Sequence, residues 1–189
     1  MPADPFYDAL VYEDDLPLGW EAIGELPAAS RLASLNTSNE ALLRVREGLE
    51  EPARGPEESH ELAQEFNRLE SKLNIILEVM AEWLRKQGDL PPVQPVRFNA
   101  HGIAWASSDL PAPGLLLRLE LYLCTSFPKP LVLHGHVLRH ETGAHGDVAV
   151  VDFEGLSPGL VDDLERLVFR RHRREVAQLR GQQRSGLGD

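Results

Sequence analysis

The chain has 189 residues, of which 42% are hydrophobic and 26% charged, and its formal net charge is -11. This length and composition suit one domain with a sizeable core and an appendage. The negative charge argues against broad affinity for nucleic acid or for an anionic membrane surface. No stretch approaches the roughly 20 consecutive apolar residues that a membrane-spanning helix needs.

The first residues and the cysteine content indicate the compartment. The start of the chain carries an acid, Asp4, where a secretion signal would carry basic residues before an apolar run. Cys124 is the single cysteine, so it cannot form an internal disulfide. We therefore expect a cytoplasmic protein that does not insert into a membrane.

Residues 1–34 form an N-terminal segment rich in proline and acidic residues, in which Leu16 to Ile23 is a strand candidate. We expect that strand to join the sheet formed by the second half of the chain. Thr37 and Glu40 then have the spacing of a capping box, in which the threonine caps a helix and the glutamate reaches back to it. This first helix is predicted to run to about Glu51, where a stretch with two prolines ends it.

A second helix is predicted from about His60 to Gly88, and it carries a regular apolar stripe. The alternative is an ordinary amphipathic helix that packs on its own domain. The apolar residues alternate at spacings of four and three over three heptads, without an internal Gly or Pro, which favours a coiled-coil seam between chains. The predicted contact residues of that seam are Leu62, Phe66, Leu69, Leu73, Ile76, Met80 and Trp83.

The heptad positions also favour an oligomeric state. Leu73 falls at an a position beside Ile76 at a d position, a pair that favours more than two strands. Aromatic side chains at both ends of the stripe, Phe66 and Trp83, need more room than a tight dimer offers. We therefore predict that the helical pair at residues 35–88 forms an oligomeric coiled coil, with a tetramer preferred to a dimer.

After Pro92 the period of the apolar residues changes from 3.5 to 2, which is typical of strands. Short consecutive strands without helices between them predict an α+β fold with a small antiparallel β-barrel over residues 89–180. Ser157 followed by Pro158 starts a C-terminal helix, and residues 181–189 are predicted to be a flexible tail. The predicted barrel strands are Val93 to Asn99, Ile103 to Ala106, Leu115 to Cys124, Leu131 to Arg139 and Asp147 to Phe153.

The order of these segments resembles the PilZ domain, the bacterial receptor module for cyclic di-GMP. The segment from Val96 to Trp105 looks like the strand, turn and glycine of that family, and Gly135 to Arg139 is similar to its Gly-x-Val-x-Arg strand. Val148 to Phe153, followed by a helix, matches the end of the domain. The helical pair before the barrel resembles the atypical, tetrameric branch of the family, which implies self-assembly.

The ligand motifs of the family are changed in this chain. Typical members carry Asp/Asn-x-Ser-x-x-Gly, and here the matching positions are Arg97, Asn99 and Gly102. Typical members also carry Arg-x-x-x-Arg before the barrel, because two guanidinium groups can hold phosphates and guanine edges. Here that segment offers one arginine and one lysine, Arg85 and Lys86. The resemblance therefore implies a degenerate ligand site at Arg97, Asn99 and Gly102.

These patterns predict a non-enzymatic signalling adaptor that binds itself and other signalling proteins, with direct cyclic di-GMP binding weak or lost and no cofactor required. The alternative is a functional cyclic di-GMP receptor that uses other arginines, such as Arg97 and the run from Arg170 to Arg174. DNA binding through that basic run is a third hypothesis, which the net charge disfavours. His134 and His136 share a strand face, but no further ligands accompany them, so we predict surface histidines and no metal site.

Overall fold

A computed structural model of the chain describes residues 4–7, 9–50, 64–65, 68–69, 71–73, 75–76, 79, 90–124, 129–143 and 146–185. Six antiparallel strands close into a barrel in the order β1-β2-β3-β6-β5-β4. The predicted α+β fold with a small antiparallel barrel is therefore confirmed. The strands are β1 (Tyr12–Ile23), β2 (Val93–Phe98), β3 (Gly102–Ala106), β4 (Leu116–Leu121), β5 (Leu131–Gly143) and β6 (Gly146–Phe153).

Strand β1 closes the barrel because its two halves pair with different neighbours. Its first half, to Pro17, pairs with β2, and its second half, from Leu18, pairs with β4. The predicted strand began at Leu16, whereas the observed one begins at Tyr12. The inward residues of all six strands form one core with Tyr12 stacked on Phe98, their ring centroids 4.8 Å apart.

A β-bulge in β5 changes which face its last residues occupy. Residues up to Val137 follow the predicted alternation, with Leu133 and Val137 in the core. Between Val137 and Arg139 the pairing with β6 shifts by one residue. Because side chains alternate with a period of two, this shift moves Arg139 from the inner phase to the outer face.

Helix α1 (Ala29–Glu50) begins eight residues before the predicted cap, so the capping-box prediction is wrong. Residues 29–35 are mostly Ala, Ser, Leu and Arg, which propagate a helix readily, and Thr37 lies in its interior with its hydroxyl donating to the Ala33 carbonyl at 3.0 Å. The packed face of α1 carries Asn36, Asn39, Leu42 and Leu43, all buried. Val45, on the same helix, is 46% exposed.

Two buried asparagines attach α1 to the barrel. The Asn39 amide donates to the Val132 carbonyl at 2.8 Å and accepts from the Val132 N–H at 3.1 Å. The Asn36 amide donates to the Gly155 carbonyl at 2.9 Å. Val132 lies in the part of β5 that extends past its pairing with β6, so Asn39 binds backbone groups on the side of β5 that β6 does not cover.

The C-terminal helix, α2 (Pro158–Ser185), starts where the sequence predicted. The Ser157 hydroxyl accepts from the Leu160 N–H at 3.1 Å and donates to Glu40 of α1 at 2.7 Å. The helix extends to Ser185, so it includes residues 181–185, the first part of the predicted tail. A single glycine, Gly181, costs a helix only about 1 kcal/mol, and the polar residues after it are adequate helix formers.

The described residues between 64 and 79, here the middle segment, are all helical. Within it Leu69, Leu73 and Ile76 are more than half exposed, and so are Ile75 and Val79, which the predicted seam did not include. The other predicted contact residues, Leu62, Phe66, Met80 and Trp83, lie outside the described residues. In the part of the chain that the structure describes, no helix is long and apolar enough to cross a membrane.

Candidate functional site

The outer face of the barrel carries the predicted ligand positions. Arg97 of β2, Ala104 of β3, Val150 of β6 and Arg139 of β5 are successive partners across four strands, so their side chains share one row. Ala104 and Val150 are 1% and 0% exposed although neither belongs to the barrel core. Two arginines therefore flank a small covered apolar floor, and we call this row and the adjoining loop 99–102 the outer face.

Asn99 shapes the loop at the edge of this face. Its side-chain oxygen accepts from the backbone N–H groups of His101 at 2.8 Å and Gly102 at 3.0 Å. Its amide nitrogen donates to the Pro5 carbonyl at 2.6 Å, and the residue is only 4% exposed. Asn99 therefore holds its own loop and an N-terminal residue, and has little surface left for a ligand.

Gly102 lies against the same N-terminal residue. A Cβ atom placed on Gly102 would lie 2.5 Å from the Val151 carbonyl oxygen and 2.8 Å from the Cβ of Pro5. Both distances are shorter than the non-bonded contacts that a Cβ atom makes in proteins. Glycine is therefore required here by the close approach of Pro5 and of the neighbouring strand β6.

The segment Asp4–Tyr7, which we call the strap, crosses the outer face as a turn. Its Tyr7 N–H donates to the Asp4 carbonyl at 3.1 Å, and its Phe6 N–H donates to the Asp4 carboxylate at 3.0 Å. Asp followed by Pro is a favoured start for such a turn, because aspartate bonds the following backbone and proline fixes φ. Pro5 is buried and Tyr7 is 85% exposed, so the turn presents one side to the barrel.

Both arginines of the outer face contact the strap, and both also donate to the same carboxylate, that of Glu141. The Arg97 guanidinium lies over the Phe6 ring, 4.7 Å from its centroid, and donates to Glu141 at 2.9 Å. Arg139 donates to the same Glu141 at 2.5 Å and to Asp4 at 2.7 Å. The hydrogen bond from the Phe6 N–H lowers the pKa of the Asp4 carboxyl, and the charge of Arg139 lowers it further.

Two clefts border the outer face, and both are acidic. One, of about 530 Å³, lies between the loop 99–101, Leu10 and α2, and its charged lining is Asp162, Glu165 and Arg166. The other, of about 640 Å³, lies beside Arg97 and is lined by four carboxylates, those of Glu13, Asp14, Asp15 and Glu141. Such surroundings repel a ligand with two phosphates.

The histidines of β5 do not share an environment, contrary to the prediction that His134 and His136 both lie at the surface. His134 is 3% exposed, because α1 packs on this end of β5, whereas His136 is exposed and pairs with Glu154 at 2.9 Å. Burial lowers the pKa of His134, and the charge of Arg118 lowers it further. Among the described residues no group of three side chains could hold a metal ion.

Arg170 and Arg171 of α2 are held by α1, by β1 and by α2 itself. Arg170 pairs with Glu47 of α1. Arg171 lies over the Tyr12 ring, 5.2 Å from its centroid, and donates to Glu175 at 2.8 Å. These side chains support the packing of α2 against α1 and β1, which is a structural task.

A family model described as "Atypical PilZ domain, cyclic di-GMP receptor" matches residues 40–181. The chain belongs to the atypical PilZ family. The match spans the second half of α1, the barrel strands from β2 onward and most of α2, so the resemblance noted from the sequence is confirmed.

Solved structures include a similar PilZ domain. A crystal structure of a pathogenic protein from Xanthomonas campestris, described as a tetrameric PilZ domain self-assembled through an unusual helical bundle, aligns with a TM-score of 0.68 and 27% identity. The alignment covers 91% of this chain and 93% of that one. No curated protein matches this chain.

The sequence indicated the positions of the outer face but not the residues that contact them. Arg97, Asn99 and Gly102 do lie together, as their motif implied. The place of Arg139 in the site and the strap were both missed, although two signals were present. An arginine in the inward phase of a strand indicates a bulge, because such a charge is rarely buried, and Asp4-Pro5 is a turn signal.

Proposed function

We propose that this PilZ protein is a non-enzymatic signalling adaptor that assembles through the middle segment and binds cyclic di-GMP weakly or not at all on its outer face. The single observation that carries the proposal is that Arg97, Asn99 and Gly102, the positions of the family's ligand motif, are all engaged within the chain. A dinucleotide would have to displace the strap and replace each of these contacts.

The electrostatics of the outer face support weak nucleotide binding. Arg97 and Arg139 share Glu141, so two positive charges are partly neutralised before any ligand arrives. The bordering clefts add further carboxylates. Cyclic di-GMP carries two phosphates, which need unpaired guanidinium groups for bidentate binding.

The exposed apolar side chains of the middle segment support self-assembly. Leu69, Leu73 and Ile76 occupy the predicted seam, while Ile75 and Val79 widen it on one side. A helix with an apolar arc wider than a single a/d seam can contact two neighbours at once, which favours more than two strands. The tetrameric description of the related Xanthomonas protein agrees with this expectation for our chain.

An adaptor with several identical barrels on one hub gains avidity for its partners without any new contact. The expected partners are other signalling proteins. The alternative, a receptor that uses Arg170 to Arg174 with Arg97, is disfavoured because Arg170 and Arg171 already bind α1, β1 and neighbouring side chains.

The nucleotide part of the proposal is tested by calorimetric titration of the full chain with cyclic di-GMP. We expect no saturable heat, because the strap and the acidic clefts oppose binding. Micromolar or tighter binding would contradict the proposal and favour the receptor alternative. Replacing Arg97 by Ala would then show whether the outer face is the place of binding.

The assembly part is tested by light scattering. One chain has a mass of 21.1 kDa, and we expect about four times that mass for the wild type. The double variant Leu69→Glu, Ile76→Glu should be monomeric, because charges in an apolar seam cannot be paired. Gln64→Glu, an exposed change in the same segment, is the matched control and should keep the wild-type mass. An unchanged mass in the double variant would show that the seam does not join chains.

A further inference from the structure

The strap is a small peptide seated on the outer face, and its contacts define what that face accepts. Its carboxylate meets Arg139, its aromatic ring meets Arg97, and its Pro5 carbonyl accepts from Asn99. Each contact uses a different chemistry: an ion pair, a cation–π contact and an amide hydrogen bond. The face is therefore selective for a combination of groups and does not simply attract anions.

Proline is the shape-determining part of this combination. Pro5 is buried against Gly102, where a Cβ would fall 2.8 Å from the proline Cβ and 2.9 Å from its Cγ. The glycine thus provides a depression that the proline ring fills. The turn itself is closed by local hydrogen bonds from Phe6 and Tyr7 to Asp4, so a short segment with this sequence needs little further ordering to bind.

Some of the contacts that hold the strap are weak enough to be exchanged for others. The Asp4–Arg139 pair is partly exposed, with 41% and 36% of the side chains accessible, and such pairs contribute little to stability. The Asp4 backbone and the Tyr7 side chain, which is 85% exposed, add no described contact with the barrel. A handful of contacts of this kind can be exchanged for equivalent ones from another polypeptide.

We propose that the outer face around Arg97, Asn99, Gly102 and Arg139 is a peptide-binding site for an Asp-Pro-aromatic turn of a partner protein, and that the strap occupies it within the chain as a competitor. The inference rests on the proposed adaptor function, for which it names the chemistry of the partner. A dinucleotide is a poorer fit, since the face offers a depression for proline and one carboxylate position. The strap then sets a threshold that a partner segment must exceed.

The competition has an expected size. A tethered segment competes with an effective concentration on the order of millimolar. If the same segment binds in trans with a dissociation constant of about 100 µM, the wild-type chain binds a free peptide roughly tenfold more weakly than a chain whose strap is detached. Loss of the Phe6 ring alone should raise the affinity of the chain for free peptide about three- to fivefold, since it removes one cation–π contact from the competing strap.

The test uses a fluorescent peptide with the sequence of residues 1–10, titrated with full-length chains by anisotropy. The probe chain carries Asp4→Ala and Phe6→Ala, and Phe6→Ala alone serves if the double variant unfolds. We expect the double variant to bind the peptide about tenfold more tightly than the wild type does. A peptide with the same two changes should not bind, and adding Arg97→Ala to the double variant should abolish binding.

Tyr7→Ala, in chain or peptide, is the matched control and should leave both affinities unchanged, since that aromatic ring is exposed. Equal peptide binding by wild type and double variant, or no binding by either, overturns the proposal when their melting temperatures and masses agree. Cyclic di-GMP binding by the double variant without peptide binding also overturns it and assigns the face to nucleotides. Cyclic di-GMP binding by the wild type instead contradicts the adaptor function itself, so the two failures are distinguishable.

Discussion

Replacing Asn39 by Ala should detach α1 from the barrel end and lower the free energy of unfolding markedly. Asn39 is 3% exposed and makes two hydrogen bonds to the Val132 backbone, at 2.8 and 3.1 Å. Each such bond contributes about 1 kcal/mol, and a buried backbone group left without a partner costs about 1–3 kcal/mol. Some of that loss is recovered if water enters, so we expect a decrease of about 2–4 kcal/mol.

The assay is urea or thermal unfolding followed by circular dichroism, at one fixed protein concentration because assembly also stabilises the fold. For a chain of this length, 1 kcal/mol shifts the melting temperature by about 2–4 °C, so we expect a decrease of roughly 4–16 °C. Asn39→Asp should also destabilise, because a carboxylate accepts from the Val132 N–H but cannot donate to its carbonyl.

Thr37→Ala is the matched control in the same helix. Thr37 is exposed and lies inside α1, so this change should be neutral or slightly stabilising, as Ala is the better helix former. If Thr37 were the helix cap, the same change would cost about 1 kcal/mol. A loss below about 0.5 kcal/mol for Asn39→Ala would refute the assignment of a fastening role to that amide.

Three further predictions concern other parts of the fold. Ser157→Ala should lower the free energy of unfolding by about 1 kcal/mol in urea titrations, because it removes the cap of α2. Ser30→Ala, at an exposed position of α1, is the control and should not lower it. Gly135→Ala should cost about 2 kcal/mol or more, since its Cβ would lie 2.3 Å from the Asp152 carbonyl oxygen, whereas Gly24→Ala meets no atom within 4 Å and should be neutral. The free energy of unfolding should fall as pH drops below about 6.5, because His134 takes up a proton in the unfolded chain but resists protonation when it is buried in the fold. Arg118 of β4 faces His134, and its positive charge also opposes protonation. Asn39, which binds the neighbouring Val132, does not titrate. His134→Gln should remove this contribution, at most about 1.4 kcal/mol per pH unit, and an unchanged pH profile would contradict it.

Local patterns in the sequence determined much of this protein. The period of two predicted the strands from Val93 onward, and Ser157-Pro158 predicted the start of α2 at the observed residue. The cause is that such signals depend on neighbours along the chain: alternation separates the two faces of a strand, and a hydroxyl caps the N–H three residues later. The order of the segments was also enough to indicate the PilZ family, which the family model confirms.

Other features were decided only by tertiary structure. The start of α1 at Ala29 overrode a capping box at Thr37, because helix propensity upstream and the attachment of Asn36 and Asn39 to the barrel outweigh one local motif. The bulge before Arg139 depends on the pairing of β5 with β6, so alternation along β5 could signal an irregularity at Arg139 but not the shift in pairing itself.

The candidate site shows the same division. Its motif positions could be identified from the sequence, but the contacts that occupy them could not. Asn99 is 94 residues from Pro5, and Arg139 is 135 residues from Asp4, so no local pattern relates them. The sequence alone determined which residues stand at the ligand positions, whereas closure of the barrel decided that a turn from the N-terminal segment occupies the face they form.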